Sequence, residues 1–124
     1  LAKKNNAHHI TLFGDGSPLR QFMYAGDLAK VIKRHVFEGL SNSFNVAPSA
    51  NLTVDDIARI ALRACDAEHM SIIYDQSKPN GQRRKDVDTT VLMRAMPGIK
   101  FLDLASGIKK IYNIEMAGAS LYGK

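Results

Sequence analysis

Cysteine is nearly absent from these 124 residues. With Cys65 alone, no disulfide can close within the chain, and a reducing, cytoplasmic setting is the expectation. No run of about 18 or more apolar residues occurs, which excludes a helical membrane span. The opening stretch has no apolar core of a signal peptide behind it, and the chain starts at Leu1, so a piece of a longer protein is expected. His8 and His9 adjoin, but no Cys, Asp or Glu stands close enough in sequence to complete a ligand pattern. No metal is expected. Gly14-Asp15-Gly16 is followed by Ser17-Pro18-Leu19, with Leu19 where a dinucleotide fingerprint needs its last glycine. Pro18 also blocks the helix such a turn must open. Tyr24 and Lys30 are not spaced as a Tyr-x-x-x-Lys proton relay, and neither Tyr112 nor Tyr122 has a lysine four places on. No catalytic residue is expected within this chain.

What is present suits one modest α/β domain. Hydrophobic residues make up 45% and charged residues 23%, the balance of an ordinary globular protein. Alternation predicts a strand over 9–13, ended by turn residues at 14–18, and a second extended piece over 21–24. Asp27 is placed to cap a helix through Phe37, with Leu28, Val31, Ile32, His35 and Val36 on one stripe and Gly39 as its stop. A strand is expected over 43–46. Thr53 and Asp56 have capping-box spacing before a helix that runs to about Asp66, with Ile57, Ile60, Ala61 and Ala64 inward. Further on, the pattern reads as a strand over 71–74, a polar loop over 75–86 and a short helix over 89–95. Asp103 then caps a helix through Ile114 with Leu104, Ile108 and Ile111 inward. Residues 1–115 read as one domain and 116–124 as a tail.

The net charge of +5 admits a nucleic acid or a small polyanion such as a nucleotide diphosphate, and does not choose between them. Two segments carry the charge. In the first, Gly14 to Phe22, a tight loop ends at Arg20, whose planar guanidinium suits two-pronged binding of phosphate or carboxylate. The alternative is a plain turn whose arginine pairs with Asp15 or Asp27. In the second, Lys78, Arg83, Arg84 and Lys85 lie within eight residues around the turn Pro79-Asn80-Gly81. Such a loop can wrap a diphosphate, or it can be a solvated basic loop. No aromatic residue interleaves these cations, which argues against a groove for single-stranded nucleic acid.

Taken together, these segments resemble a known family. Gly14 to Tyr24 followed by Gly26-Asp27-Leu28-Ala29, and Asn45-Val46-Ala47 followed by Leu52-Thr53-Val54, are similar to stretches of the extended short-chain dehydrogenases/reductases. Ser77-Lys78-Pro79-Asn80-Gly81-Gln82-Arg83-Arg84-Lys85 resembles a segment of the GDP-L-fucose synthases within that superfamily. The resemblance implies the carboxyl-terminal substrate-binding domain, short mixed strands packed with about four helices, without the Rossmann domain. It implies that the parent enzyme reduces and epimerises a GDP-linked 4-keto-6-deoxy sugar with NADP as cofactor. By the same resemblance, Phe13, Arg20, Asn80 and Lys85 are substrate-binding positions, with Asn80 standing where the family usually has an aspartate. Cofactor-binding and catalytic groups, and the helices of a homodimer, would then precede Leu1, leaving this piece inactive alone and prone to self-association. The nearest rival is another sugar-nucleotide epimerase or dehydratase of the superfamily. A small basic nucleic-acid-binding module is the rival from a different class, and a non-catalytic scaffold remnant is a third.

Overall fold

A computed structural model describes residues 7–118. Strand β1, His9–Phe13, pairs in parallel with β4, Ser71–Asp75. A second, three-stranded sheet sets β2, Leu19–Arg20, between β3, Leu52–Thr53, and β5, Arg84–Lys85. Four helices complete the domain: α1, Ala25–Phe37; α2, Val54–Ala64; α3, Thr90–Ala95; and α4, Leu104–Met116. No helix among the described residues is long and apolar enough to cross a membrane.

Several elements follow from local chemistry. Thr53 Oγ1 accepts from the Asp56 N–H at 2.9 Å, and Asp56 Oδ2 accepts from the Thr53 N–H at 3.3 Å, so the capping box closes both ways. Asp103 caps α4 by accepting from the Ser106 N–H at 2.9 Å. Gly39 ends α1 with φ +61°, a left-handed conformation that costs a residue without Cβ little.

Several expectations need correction. Asp27 is not the cap of α1: Tyr24 holds that place without a side-chain bond, and Asp27 lies inside the first turn. Its carboxylate is only 2% exposed, taking Lys30 Nζ at 2.8 Å and the remote Leu102 N–H at 2.7 Å. A buried carboxylate needs both donors, and the tertiary one draws it inward. The extended piece after the glycine turn comes earlier, at Leu19–Arg20, because its pairing partners are there. Residues 43–46 form no strand; Phe44 and Val46 pack on the core, and Asn45 Nδ2 donates to the Asp88 carbonyl. On α1 only Val31 of the apolar stripe is buried, and Leu28, Ile32 and Val36 remain exposed. On α4, Ile111 is exposed too, while Gly107 is buried against Tyr24 of the α1 entry. Met116, expected to open the tail, is the last residue of α4, and 119–124 lie outside the described residues.

The core proper is Val31, Leu92 and Met96, with Leu40, Phe44, Ala95, Ile99 and Phe101 packed around it. It thus joins α1 to α3 and to two irregular segments.

Asp27 gives this fold an acid dependence. Hydrogen bonds from Lys30 and then Leu102 hold its carboxyl below the ordinary value. A depressed folded-state pKa contributes stability above the unfolded value of about 3.9, and this is lost as pH falls through the folded value. Asp27→Asn keeps the shape but offers one acceptor oxygen where two donors arrive, and sets its amide NH2 against the other donor. The expected loss is about 1–3 kcal/mol at pH 7, narrowing as pH falls through the folded value. Urea unfolding at pH 7 and in acid checks this; a gap independent of pH would refute it.

Candidate functional site

The two basic segments meet. β2 and β5 run parallel with Leu19 opposite Arg84 and Arg20 opposite Lys85. The Leu19 N–H donates to the Arg83 carbonyl at 2.8 Å and closes the ladder. Residues directly opposite on neighbouring strands carry their side chains on one face, so Arg20 and Lys85 sit side by side. Leu52 of β3 is Arg20's other partner.

The glycine turn is held from beneath by α2. The first N–H groups of that helix have no partner within it; here Val54 donates to the Pro18 carbonyl at 2.9 Å and Asp55 to the Gly16 carbonyl at 3.0 Å. Gly16 has φ +79°, and a Cβ there would press on the Tyr74 ring and on Asp55. Tyr74 donates its hydroxyl to Asp55, and Arg59 donates to the same carboxylate at 2.9 Å. Arg59, then Tyr74, lower the Asp55 pKa, and Asp55 in turn raises that of Tyr74. This trio is scaffold beneath the turn.

Charge is distributed unevenly over the loop. Arg84 forms a two-pronged pair with Asp86 at 2.7 and 2.9 Å, which depresses the Asp86 pKa. Neither Asp15 nor Asp27 pairs with Arg20, so the ion pair expected of a plain turn does not form. Asp15 accepts from the Ser17 N–H, and Asp27 has Lys30. Arg20 donates Nη1 to the Leu19 carbonyl at 2.7 Å. Among the described residues, no carboxylate forms an ion pair with Arg20 or Lys85. Two cations side by side without a counter-charge attract an anion, which makes the pair a candidate site. Leu52 and Phe22 line an open, mainly apolar cavity of about 600 Å³ with Ile60, Met93, Leu102 and Leu104.

Of the other positions named from the sequence, Asn80 is brought to the glycine turn, where its Oδ1 accepts from the Asp15 N–H at 2.8 Å. Phe13 belongs to the other sheet, immediately before that turn, and is 68% exposed. The chain does hold one Tyr-x-x-x-Lys spacing, Tyr74 to Lys78. The structure makes it a coincidence of spacing. Tyr74 is on a strand rather than a helix, so Lys78 is not one turn away, and its hydroxyl is committed to Asp55. The residues present do not suit a dinucleotide either, because the glycine turn leads into β2 and not into a helix. No group of three or more metal-ligating side chains exists among the described residues.

No family model matches the chain. It is 34% identical over 113 residues to a GDP-L-fucose synthase of Dictyostelium discoideum, covering 89% of this chain and 35% of that one. It is likewise 34% identical over 103 residues to a GDP-L-colitose synthase of Yersinia pseudotuberculosis, covering 82% and 33%. The chain thus spans about a third of the length of these relatives. A crystal structure of a GDP-L-fucose synthetase from Naegleria fowleri bound to NADP superposes with a TM-score of 0.82 at 21% identity, over 94% of this chain and 37% of that one.

Proposed function

From a chain that is a relative of the GDP-L-fucose synthases and has the fold of extended short-chain dehydrogenases/reductases, we infer the nucleotide-sugar-binding part of an enzyme of that kind. The observation that carries this reading is the register that sets Arg20 opposite Lys85, free of carboxylates among the described residues. A GDP-linked sugar carries about two negative charges on its diphosphate, and the paired cations complement them. Phe13 offers an exposed aromatic face close in sequence to the same turn, suited to the sugar side of the ligand.

In this reading, residues 1–115 act as the substrate-binding domain and 116–124 as its tail. The NADP cofactor and the groups that epimerise and reduce GDP-4-keto-6-deoxy-D-mannose to GDP-L-fucose belong to a part of the enzyme outside these 124 residues. This chain's own work is to grip and orient the nucleotide sugar, and it has no activity alone. The exposed row Leu28, Ile32 and Val36 on α1 is then the surface that packs on that other part. A cytoplasmic, homodimeric parent enzyme accords with the family.

Calorimetric titration of the chain with GDP and with UDP tests the reading. GDP is expected to bind, more weakly as salt rises, and to perturb the amide resonances of residues 19–21 and 83–86. Tighter binding of UDP would move the assignment to another sugar-nucleotide enzyme of the superfamily. Binding of neither nucleotide at low salt would remove it.

A further inference from the structure

The ladder that sets Arg20 beside Lys85 is two residues long, which is too short to fix its own register. Something outside it must hold the two loops in phase. Three observations converge on Asn80. Its Oδ1 takes the Asp15 N–H at 2.8 Å, tying the 77–85 loop to the 14–16 turn. Gly14, with φ +79°, leaves open the space into which that oxygen fits, so that any Cβ at position 14 would collide with it. Next in sequence, Gly81 lies under the Arg20 guanidinium: a Cβ there would stand 3.7 Å from Arg20 Nη2. The latch therefore sits at the point where the second loop passes beneath the arginine.

We propose that Asn80 is a positioning residue whose carboxamide locks the 77–85 loop to the 14–16 turn and thereby sets Arg20 beside Lys85. It does so without itself touching the bound anion. An amide suits the role better than a carboxylate. Ser17 first, and Asn80 after it, stabilise the Asp15 carboxylate, so an aspartate at position 80 would bring a second negative charge against the first. A carboxamide offers an acceptor to the Asp15 N–H and donors toward the Asp15 carboxylate at once.

The anion-binding half of this proposal rests on the nucleotide-binding reading above, and the test separates the two. In the whole chain, Asn80→Ala is expected to speed hydrogen exchange at the Asp15 amide and at the Leu19 amide of the ladder. GDP affinity should fall about three- to tenfold, the worth of one neutral hydrogen bond. In a Lys85→Ala background the same change should cost almost nothing further, because the pair it positions is already broken. Asn80→Asp should also weaken GDP binding, and adding Asp15→Asn should restore it by removing the facing charge. A residue touching the ligand would give the opposite result, since the carboxylate at position 80 would still repel phosphate in the double variant. Failure of that rescue, or unchanged exchange at Asp15 and Leu19 in Asn80→Ala, overturns the proposal. Should the unaltered chain bind no GDP, the nucleotide reading falls, and the two exchange rates still decide whether Asn80 holds the loops in phase.

Discussion

Replacing Arg20 with alanine is expected to weaken GDP binding by about 10- to 150-fold. A charge-assisted hydrogen bond contributes about 1.5–3 kcal/mol, and about 1.4 kcal/mol is a factor of ten in affinity. Arg20 is half-buried between Leu52 on one side and Lys85 on the other, so its guanidinium is oriented before the ligand arrives. Little entropy is then lost on binding. Lys85 is exposed and more strongly screened, so Lys85→Ala is expected to fall at or below the lower end of that range. Arg20→Lys keeps the charge but loses the planar fork, and should recover only part of the affinity. Calorimetry with GDP reads all three. In an enzyme of the relatives' full length, the same Arg20→Ala change should appear as a raised KM. An Arg20→Ala chain that binds GDP as tightly as the unaltered one would end the case for the site.

Leu92→Ala is expected to cost about 2–5 kcal/mol of folding stability. Typical domains have only about 5–15 kcal/mol in total. Leu92 and Met96 are fully buried, and with Val31 they are the largest side chains so enclosed. Leu40, Phe44, Ile99 and Phe101 pack around this small core, and how far that half-buried shell closes into the vacated space sets the cost within the range. The helix that carries Leu92 has six residues, too few to persist in water without tertiary packing. Losing its anchor therefore loosens α3 and the neighbouring 40–46 segment together. Val91, one residue away and 44% exposed, is the internal control: Val91→Ala should change stability by no more than about 0.5 kcal/mol. Unfolding midpoints in guanidinium chloride measure both. A Leu92→Ala midpoint as close to the parent as that of Val91→Ala would show that the core lies elsewhere.

How legible each element was depended on how local its cause is. The capping box at Thr53 and Asp56, the Asp103 cap and the Gly39 stop are settled within a few residues of chain, and the sequence reading places all three. Asp27 went astray because an aspartate before an apolar stripe has the same pattern whether its carboxylate caps its own helix or serves a distant N–H. Only the arrival of Leu102, 75 residues on, separates the two. The stripe Leu28, Ile32 and Val36 has helical spacing, and spacing alone does not say which side of an amphipathic helix this domain covers. The two-residue strands β2, β3 and β5 carry no period to detect; they exist because their partners come to them.

By itself the sequence determined the α/β class, the two turns and the caps at Thr53 and Asp103, and it marked Arg20 and the 77–85 loop as candidates for holding an anion. Residue type and near-neighbour spacing are enough for those. Tertiary structure alone decided that Arg20 faces Lys85, that Asp86 neutralises Arg84, and that Asn80 turns its oxygen toward Asp15. These are contacts between segments more than sixty residues apart or choices among several nearby charges. Composition supplies the candidates for such contacts, and only the closed path of the chain selects among them.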